Sequence, residues 1–423
     1  MKIEMSFNYI VEISDFKLDS LVSSFRQLLL PLLSSFISNI LHQLGDTLVE
    51  NLPVHLTNNK NDTFCCPKCG SRSFKWKTRR STSLSTKLST ELGTVAIPKM
   101  QIQCRKCGHK RYIVRELLGL LPYARMSFQT EQKLALCGSL TSFRVGEVFS
   151  RVFGVSFARS TIWRCVQKVG EKLSFSISPD ERGEAQADGT GIPINRIAKR
   201  GKELKVLIQK NTPDTARRTG SRWRLAGLDI GNYNGSWKKL FQPSLDIIRS
   251  FKSFFLLTDG DDSILKGLKN VHVLLQRCLW HIPHQLKHCL WEDKVTHKSE
   301  LWHTIMSKIY QIVAIRSYLQ DDEIESFIKE KNKYLDNLVA YCHEHDCQKS
   351  VSYLKNAKPD MFTALQNHLR GKATSEVERV MRTVNLRINY GKWSQSGALN
   401  AMKIRLAFYY NGYNPSKNRR TDN

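Results

Sequence analysis

No uninterrupted apolar run in this 423-residue chain is long enough to cross a bilayer. The most apolar stretch, Leu28–Leu41, is short and is cut by Pro31 and three serines. It also lies behind acidic residues, too far along the chain to read as a signal peptide. The expectation is a cytoplasmic protein with no membrane partner. Acidic residues are the second shortage, 38 against 65 lysines and arginines, which leaves a formal charge of +27. A folded chain with that excess carries a positive potential whose commonest partner is a polyanion, nucleic acid ahead of an anionic membrane. Internal repeats and long low-complexity tracts are missing too, which excludes a repeat architecture.

What remains is a globular composition, 41 % hydrophobic and 24 % charged, in a chain long enough for two or three domains. Residues 1–60 read as a helical lead-in, with apolar positions at three- and four-residue spacing from Phe16 to Leu52 and a break at Pro31. Such a face packs on its own domain or on a second copy. Residues 61–117 change to short strands, such as Phe74–Lys77 and Thr94–Gln103. Residues 118–178 turn helical, and 179–282 carry the strand segments EAQADGTGIPI, KELKVLIQK, RWRLAGLDIG, SFFLLTDG and NVHVLLQ. Three strands, a short parallel pair and then helices make an α/β arrangement. Residues 283–370 read as helical, 371–412 as two helices about a turn at Asn389–Gly391, and 413–423 as a basic tail.

Eleven cysteines in a reducing compartment point to metal ligands and buried thiols rather than disulfides. Two knuckles, Cys66-Pro-Lys-Cys69-Gly and Cys104-Arg-Lys-Cys107-Gly, supply the four sulfurs that one tetrahedral zinc requires. The long spacing between them suits a zinc ribbon, with Cys65 as a spare thiol. Lys68, Arg72, Lys75, Lys77, Arg79, Arg80, Arg105, Lys106, Lys110 and Arg111 surround the knuckles, interleaved with Trp76 and Tyr112. That composition fits a nucleic-acid surface or a solvated basic face.

Residues 141–170 read as a helix-turn-helix. The first helix runs to Phe153, Gly154 makes the turn, and the second helix starts near Ala158. Val145, Val148, Phe153, Ile162 and Val166 form its expected core, leaving Arg159, Ser160, Thr161 and Arg164 for a major groove. A plain helical hairpin fits the same pattern.

Asp188 stands in an alternating strand before Gly189, and Asp259 ends the apolar strand FFLLTDG. Each alone is most often a turn former. Together, at the ends of neighbouring strands and joined by a third acid from a helix, they suit two-metal phosphoryl transfer with Mg²⁺ or Mn²⁺.

After TDG the chain reads DDSILKGLKNVHVLLQRCLWHIPHQL, and Cys278-Leu279-Trp280-His281 resembles the C-x-x-H signature of Mutator-like transposases and their bacterial insertion-sequence relatives. ATSEVERVMRTVNLRINYGKWSQSGALNAMKIRL resembles the C-terminal block of the same enzymes, in which an E-R pair opens a basic helix. The resemblance covers roughly 180–410. It implies an RNase H-like core with an all-helical insertion, preceded by a zinc ribbon and a helical DNA-binding domain. It implies a DDE transposase with Asp188, Asp259 and Glu378 as catalytic residues holding two magnesium ions, and Cys278 and His281 as the signature pair. Glu376 is the rival third ligand, and the E-R pairing favours Glu378. The signature pair reads as a brace for the strand-to-helix joint. Trp280 suits either stacking on a displaced base or core packing, and Arg379, Arg382 and Arg387 suit a phosphate clamp. The implied partners are double-stranded transposon ends and target DNA, bound by a homodimer or larger assembly at the nucleoid. A catalytically inactive, domesticated DNA-binding regulator is the alternative.

Overall fold

The structure, a computed structural model, describes residues 18–58, 65–78, 85–121, 123–152, 156–195, 202–233, 235–268, 271–315, 319–369 and 375–415. The chain divides into two compact units, Met1–Cys165 with Pro415–Asn423, and Val166–Asn414.

The first unit opens with α1 (Leu18–Asn58). Its five strands are β1 (Phe74–Thr78), β2 (Ser85–Thr90), β3 (Gly93–Pro98), β4 (Gln101–Cys104) and β5 (Lys110–Tyr112). Helices α2 (Ile113–Leu117), α3 (Phe128–Leu140), α4 (Phe143–Val152) and α5 (Arg159–Glu171) follow, and the division between units falls inside α5. Two sequence expectations change here. The break at Pro31 does not form, because α1 runs straight through it. Ser34 Oγ donates to the Pro31 carbonyl at 2.9 Å and Ser38 Oγ to the Ser34 carbonyl at 2.7 Å, and Ser38 Oγ also accepts the Ala96 N–H of β3 at 2.9 Å. Gln27–Val49 thereby becomes a 23-residue helical segment long and apolar enough, by length and composition, to cross a membrane, a length the sequence excluded. Part of it packs in the unit: Ile37, Leu41, Leu44 and Leu48 share a core with Leu88, Val95, Ile97 and Met100. The second change is at Thr94–Gln103, which splits at Pro98 into β3, paired with β2, and β4, the centre of the sheet β1-β4-β5. Proline has no N–H to carry a ladder onward.

The second unit is built on a five-stranded sheet of β6 (Glu184–Gly191), β7 (Glu203–Lys210), β8 (Trp223–Gly231), β9 (Phe255–Thr258) and β10 (Leu274–Arg277). Helices α6 (Pro213–Thr219), α7 (Trp237–Phe241), α8 (Leu245–Ser250) and α9 (Asp262–Gly267) connect them. The strand order is β10-β9-β6-β7-β8. β6, β7 and β8 are antiparallel neighbours, whereas β9 runs parallel to β6 and β10 parallel to β9. Side chains alternate across a sheet, and that alternation sorts the strand β6. Ala185 and Ala187 face a core with Leu207, Ala226, Leu256, Trp237, Phe241 and Ile264. Gln186 and Asp188 therefore face the other way. Five helices come next: α10 (His281–Glu292), α11 (Glu300–Val313), α12 (Ile324–Glu344), α13 (Gln348–Ala357) and α14 (Thr363–Gln366). They share their own core of Leu286, Leu290, Ile305, Ile309, Leu335, Leu338 and Leu354. Finally α15 (Val377–Ile388) lies against β6 and α16 (Gln395–Tyr410) against β8. The chain is thus mixed α/β, with sheets and a large helical part.

Candidate functional site

Two groups of metal-ligating side chains form among the described residues. In the first unit Cys66, Cys69, Cys104 and Cys107 each place a sulfur within 4.8 Å of the others. The two knuckles are copies in backbone terms. Gly70 N donates to the Cys66 carbonyl at 2.8 Å, and Gly108 N to the Cys104 carbonyl at 3.0 Å. Both glycines take φ near +70°, at 66° and 73°, which a side chain would disfavour. Pairing of β1 with β4 sets Phe74 opposite Cys104 and brings the knuckles together. The sulfurs of Cys66 and Cys107 are 3.5 Å apart, and those of Cys69 and Cys104 3.6 Å. Zinc–sulfur bonds of about 2.3 Å in a tetrahedron give edges of about 3.8 Å, so the donor set fits one ion. The thiols already differ in acidity. Backbone N–H groups of Cys107 and Lys106 draw Cys104 down to about 6. At Cys69 the Ser71 N–H favours the thiolate, yet burial and the three other thiols push it up to about 12.

Around this cluster Lys68, Arg72, Lys75, Lys77, Arg105, Lys106 and Lys110 are exposed. Arg111 is engaged by Glu116 at 2.6 Å, and Trp76 is partly buried against the unit's core. Arg79 and Arg80 lie outside the described residues.

In the helical pair α4–α5, Phe153 and Gly154 are also outside the described residues. The expected core is corrected at two positions. Val145 and Val148 are 40 % and 59 % exposed, because α4 turns Gly146 and Ser150 inward instead. Ile162 and Val166 are buried as expected, and a side chain on Gly146 would press on Ile162. Arg159 pairs with Glu147 at 3.2 Å, Arg164 turns back to the Ser160 carbonyl at 3.3 Å and Thr161 at 3.3 Å, and Ser160 is exposed.

The second cluster sits in the second unit at one end of the five-stranded sheet. Parallel pairing sets Ala187 opposite Thr258, so Asp188, on the Gln186 face of β6, and Asp259, just past the end of β9, are neighbours. Gln186, one alternation before Asp188, accepts N–H bonds from Glu376 at 2.6 Å and Val377 at 3.0 Å. That clamp fixes the first turn of α15 over β6, and Glu378 reaches Asp188 from there. Glu376 does not join them: it is 44 % exposed and pairs with Arg379 at 3.4 Å. On the other side the ladder between β9 and β10 extends through Cys278 N, which donates to the Thr258 carbonyl at 2.7 Å. Cys278 is fully buried, and His281 opens α10 with Nε2 2.9 Å from Glu378 Oε1. Asp188, His281 and Glu378 place one ligand atom each within 4.8 Å of one another. The sequence treats His281 as a structural brace; the structure puts it among the acids. Only its place in the C-x-x-H motif hinted at this.

The electrostatics are those of acids packed together. Burial raises the Asp188 carboxyl to about 8; the Asp259 and Glu378 charges add to the rise and His281 opposes it. Burial also raises Asp259, against the Asp261 N–H that its Oδ1 accepts at 3.0 Å. The hydrogen bond from His281 holds Glu378 below the usual range. Burial opposes a charged imidazole at His281, but Cys278, Glu378 and Asp188 together raise it to about 10. The two aspartates are thus strained toward protonation while Glu378 is not, and a group of this kind could hold a cation.

Of the remaining predicted residues, Arg382 is exposed and Arg379 is 80 % exposed on α15. Arg387 is a correction. It is 6 % exposed, with its guanidinium 4.5 Å over the Trp393 ring, and so lies inside the fold away from any phosphate. Trp280 is 51 % exposed, stacked near His284 at 4.3 Å, which excludes core packing.

No protein-family model matches the chain. No curated protein sequence matches it either. Among solved structures it is similar to the Drosophila P element transposase strand transfer complex, with a TM-score of 0.37 and 9 % identity over 70 % of this chain and 94 % of that one.

Proposed function

We propose that the chain is a DDE transposase of the Mutator-like and bacterial insertion-sequence type. It binds double-stranded transposon ends, cleaves a strand to free a 3′-hydroxyl, and joins that hydroxyl to target DNA. The observation that carries this is the register of β6 and β9, which sets Asp188 beside Asp259, with Glu378 brought to Asp188 by α15. The strand order, three antiparallel strands extended by two parallel ones, supports an RNase H-like core with α10–α14 as its helical insertion. Asp188, Asp259 and Glu378 would hold two Mg²⁺ or Mn²⁺ ions, which supply activation of the attacking hydroxyl and stabilisation of the leaving oxygen. The rest falls to the chain itself. Gln186 sets the depth of α15, the Asp261 N–H orients the Asp259 carboxylate, and His281 orients Glu378. Arg379 and Arg382 present charge to the phosphates, and Trp280 offers an exposed ring to an unstacked base.

Cys66, Cys69, Cys104 and Cys107 would hold one structural zinc in a ribbon whose exposed lysines and arginines contact DNA, alongside Arg159, Ser160, Thr161 and Arg164. Two ends held together call for a homodimer or larger assembly at the nucleoid in the cytoplasm. The test is a strand-transfer assay on DNA carrying the sequences that flank the gene, with Mg²⁺ or Mn²⁺. Joined products support the proposal. End binding without cleavage or joining replaces it with a DNA-binding regulator.

A further inference from the structure

We propose that His281 is a direct nitrogen ligand of the divalent ion at the acidic cluster, which gives that site a preference for Mn²⁺ over Mg²⁺. The inference rests on the metal-centre part of the proposed function and is independent of transposition itself.

Three observations converge. First, Asp188, His281 and Glu378 are the set whose ligand atoms lie within 4.8 Å of one another, and Asp259 is not part of that set. The closest donors to one another thus include an imidazole. Second, the His281 Nε2 to Glu378 Oε1 separation is 2.9 Å. Two ligands at right angles on an ion with bonds of about 2.1 Å stand about 3.0 Å apart, so this pair spans one edge of a coordination shell as it stands. Third, the ring has one nitrogen to give. Nδ1 is buried, the Cys278 thiol hydrogen-bonds the ring, and Nε2 faces Glu378. The orientation is imposed by the backbone. Cys278 N is tied to Thr258, His281 N donates to the Cys278 carbonyl at 3.1 Å, and the Trp280 ring meets His281 edge-on at 4.9 Å. The C-x-x-H spacing is therefore what turns an imidazole at the first position of α10 into the metal cluster.

The chemistry follows from donor type. Mg²⁺ takes oxygen ligands and keeps its water, whereas imidazole suits the first-row transition ions, of which Mn²⁺ also accepts carboxylates. A shell of two carboxylates and one imidazole leaves open positions for a phosphate oxygen and for Asp259. In the competing arrangement His281 only donates a hydrogen bond to Glu378 and every metal ligand is an oxygen.

The experiment uses the full chain without DNA, loaded with less than one equivalent of Mn²⁺. Pulsed electron paramagnetic resonance reads whether a ¹⁴N nucleus is coupled to the bound ion. Coupling is expected in the wild type and in His284→Gln, the neighbouring-histidine control, and is lost in His281→Gln. Mn²⁺ affinity should fall about tenfold or more in His281→Gln, with a clearly smaller change for Mg²⁺ measured by competition. The wild-type spectrum needs no variant, so a folding failure of His281→Gln leaves the test decisive. Absence of nitrogen coupling on Mn²⁺ whose binding is lost in Asp188→Asn would overturn the inference and leave the metal centre standing. Mn²⁺ binding indifferent to Asp188→Asn would overturn both.

Discussion

The four-cysteine cluster and the aspartate–histidine–glutamate cluster each gather donor atoms within 4.8 Å, yet the chain assembles them by different routes. The cysteines come from two short knuckles with the same hydrogen bonds and the same left-handed glycine, joined by one strand pair. Four soft donors could satisfy one tetrahedral ion, which would leave no position for a substrate. The acidic cluster draws on β6, the end of β9, the start of α10 and the first turn of α15, with the acids facing one another at a cost that burial increases. The cysteine cluster could bind zinc and so complete the first unit, and the aspartate, histidine and glutamate could hold a metal ion that relieves the crowding of their acids.

That contrast predicts opposite signs for comparable substitutions. The largest effect is expected from Cys104→Ser or removal of zinc, which should cost the first unit on the order of 10 kcal/mol. Thermal unfolding with metal analysis should show the first unit lost and the second melting unchanged. Equal loss in both units would end the distinction. Asp188→Asn should do the reverse, raising the stability of the metal-free chain while abolishing divalent-ion stabilisation. A destabilised Asp188→Asn would mean that the cluster is structural.

The pH dependence sharpens the same point. Asp188 titrates at about 8 in the folded chain and at about 3.9 in an unfolded one. The folded state therefore binds its proton more tightly between those values, so the wild type loses stability as pH rises through the window and levels off above it. The melting-temperature gap in favour of Asp188→Asn should widen from about pH 4 to about pH 8. Gln186→Leu comes next in size. Losing its bonds to the Glu376 and Val377 N–H groups should cost about 1–2 kcal/mol and weaken divalent-ion binding through the displaced Glu378. The smallest effect belongs to Glu376→Gln, which touches only an exposed pair with Arg379 and should stay within about 0.5 kcal/mol.

What could be read from the sequence follows the locality of each feature. The knuckles, the strand segments of the second unit and the helices after Cys278 carry their signals within a few residues, and the structure forms elements at each. Asp188 and Asp259 were visible as acids at strand ends, but their side-by-side placement needs the parallel register of β6 and β9, which no local pattern encodes. His281 in the acidic cluster was only hinted at, by its C-x-x-H motif, because its neighbours Asp188 and Glu378 lie far from it in the chain. The misread residues fail for another reason, since composition does not say which way a side chain points. Arg387 looks like a phosphate contact and lies under Trp393; Val145 looks like core and faces solvent. Pro31 looks like a stop, and the helix passes through it.

The most direct test of the central claim is metal-dependent joining of a 3′-hydroxyl DNA end by wild type and by Asp188→Ala, Asp259→Ala, Glu376→Ala and Glu378→Ala. Joining is expected from wild type and Glu376→Ala, with a loss of roughly a hundredfold or more in the other three. Joining that survives Glu378→Ala, or that is lost in Glu376→Ala alone of the two glutamates, would contradict it.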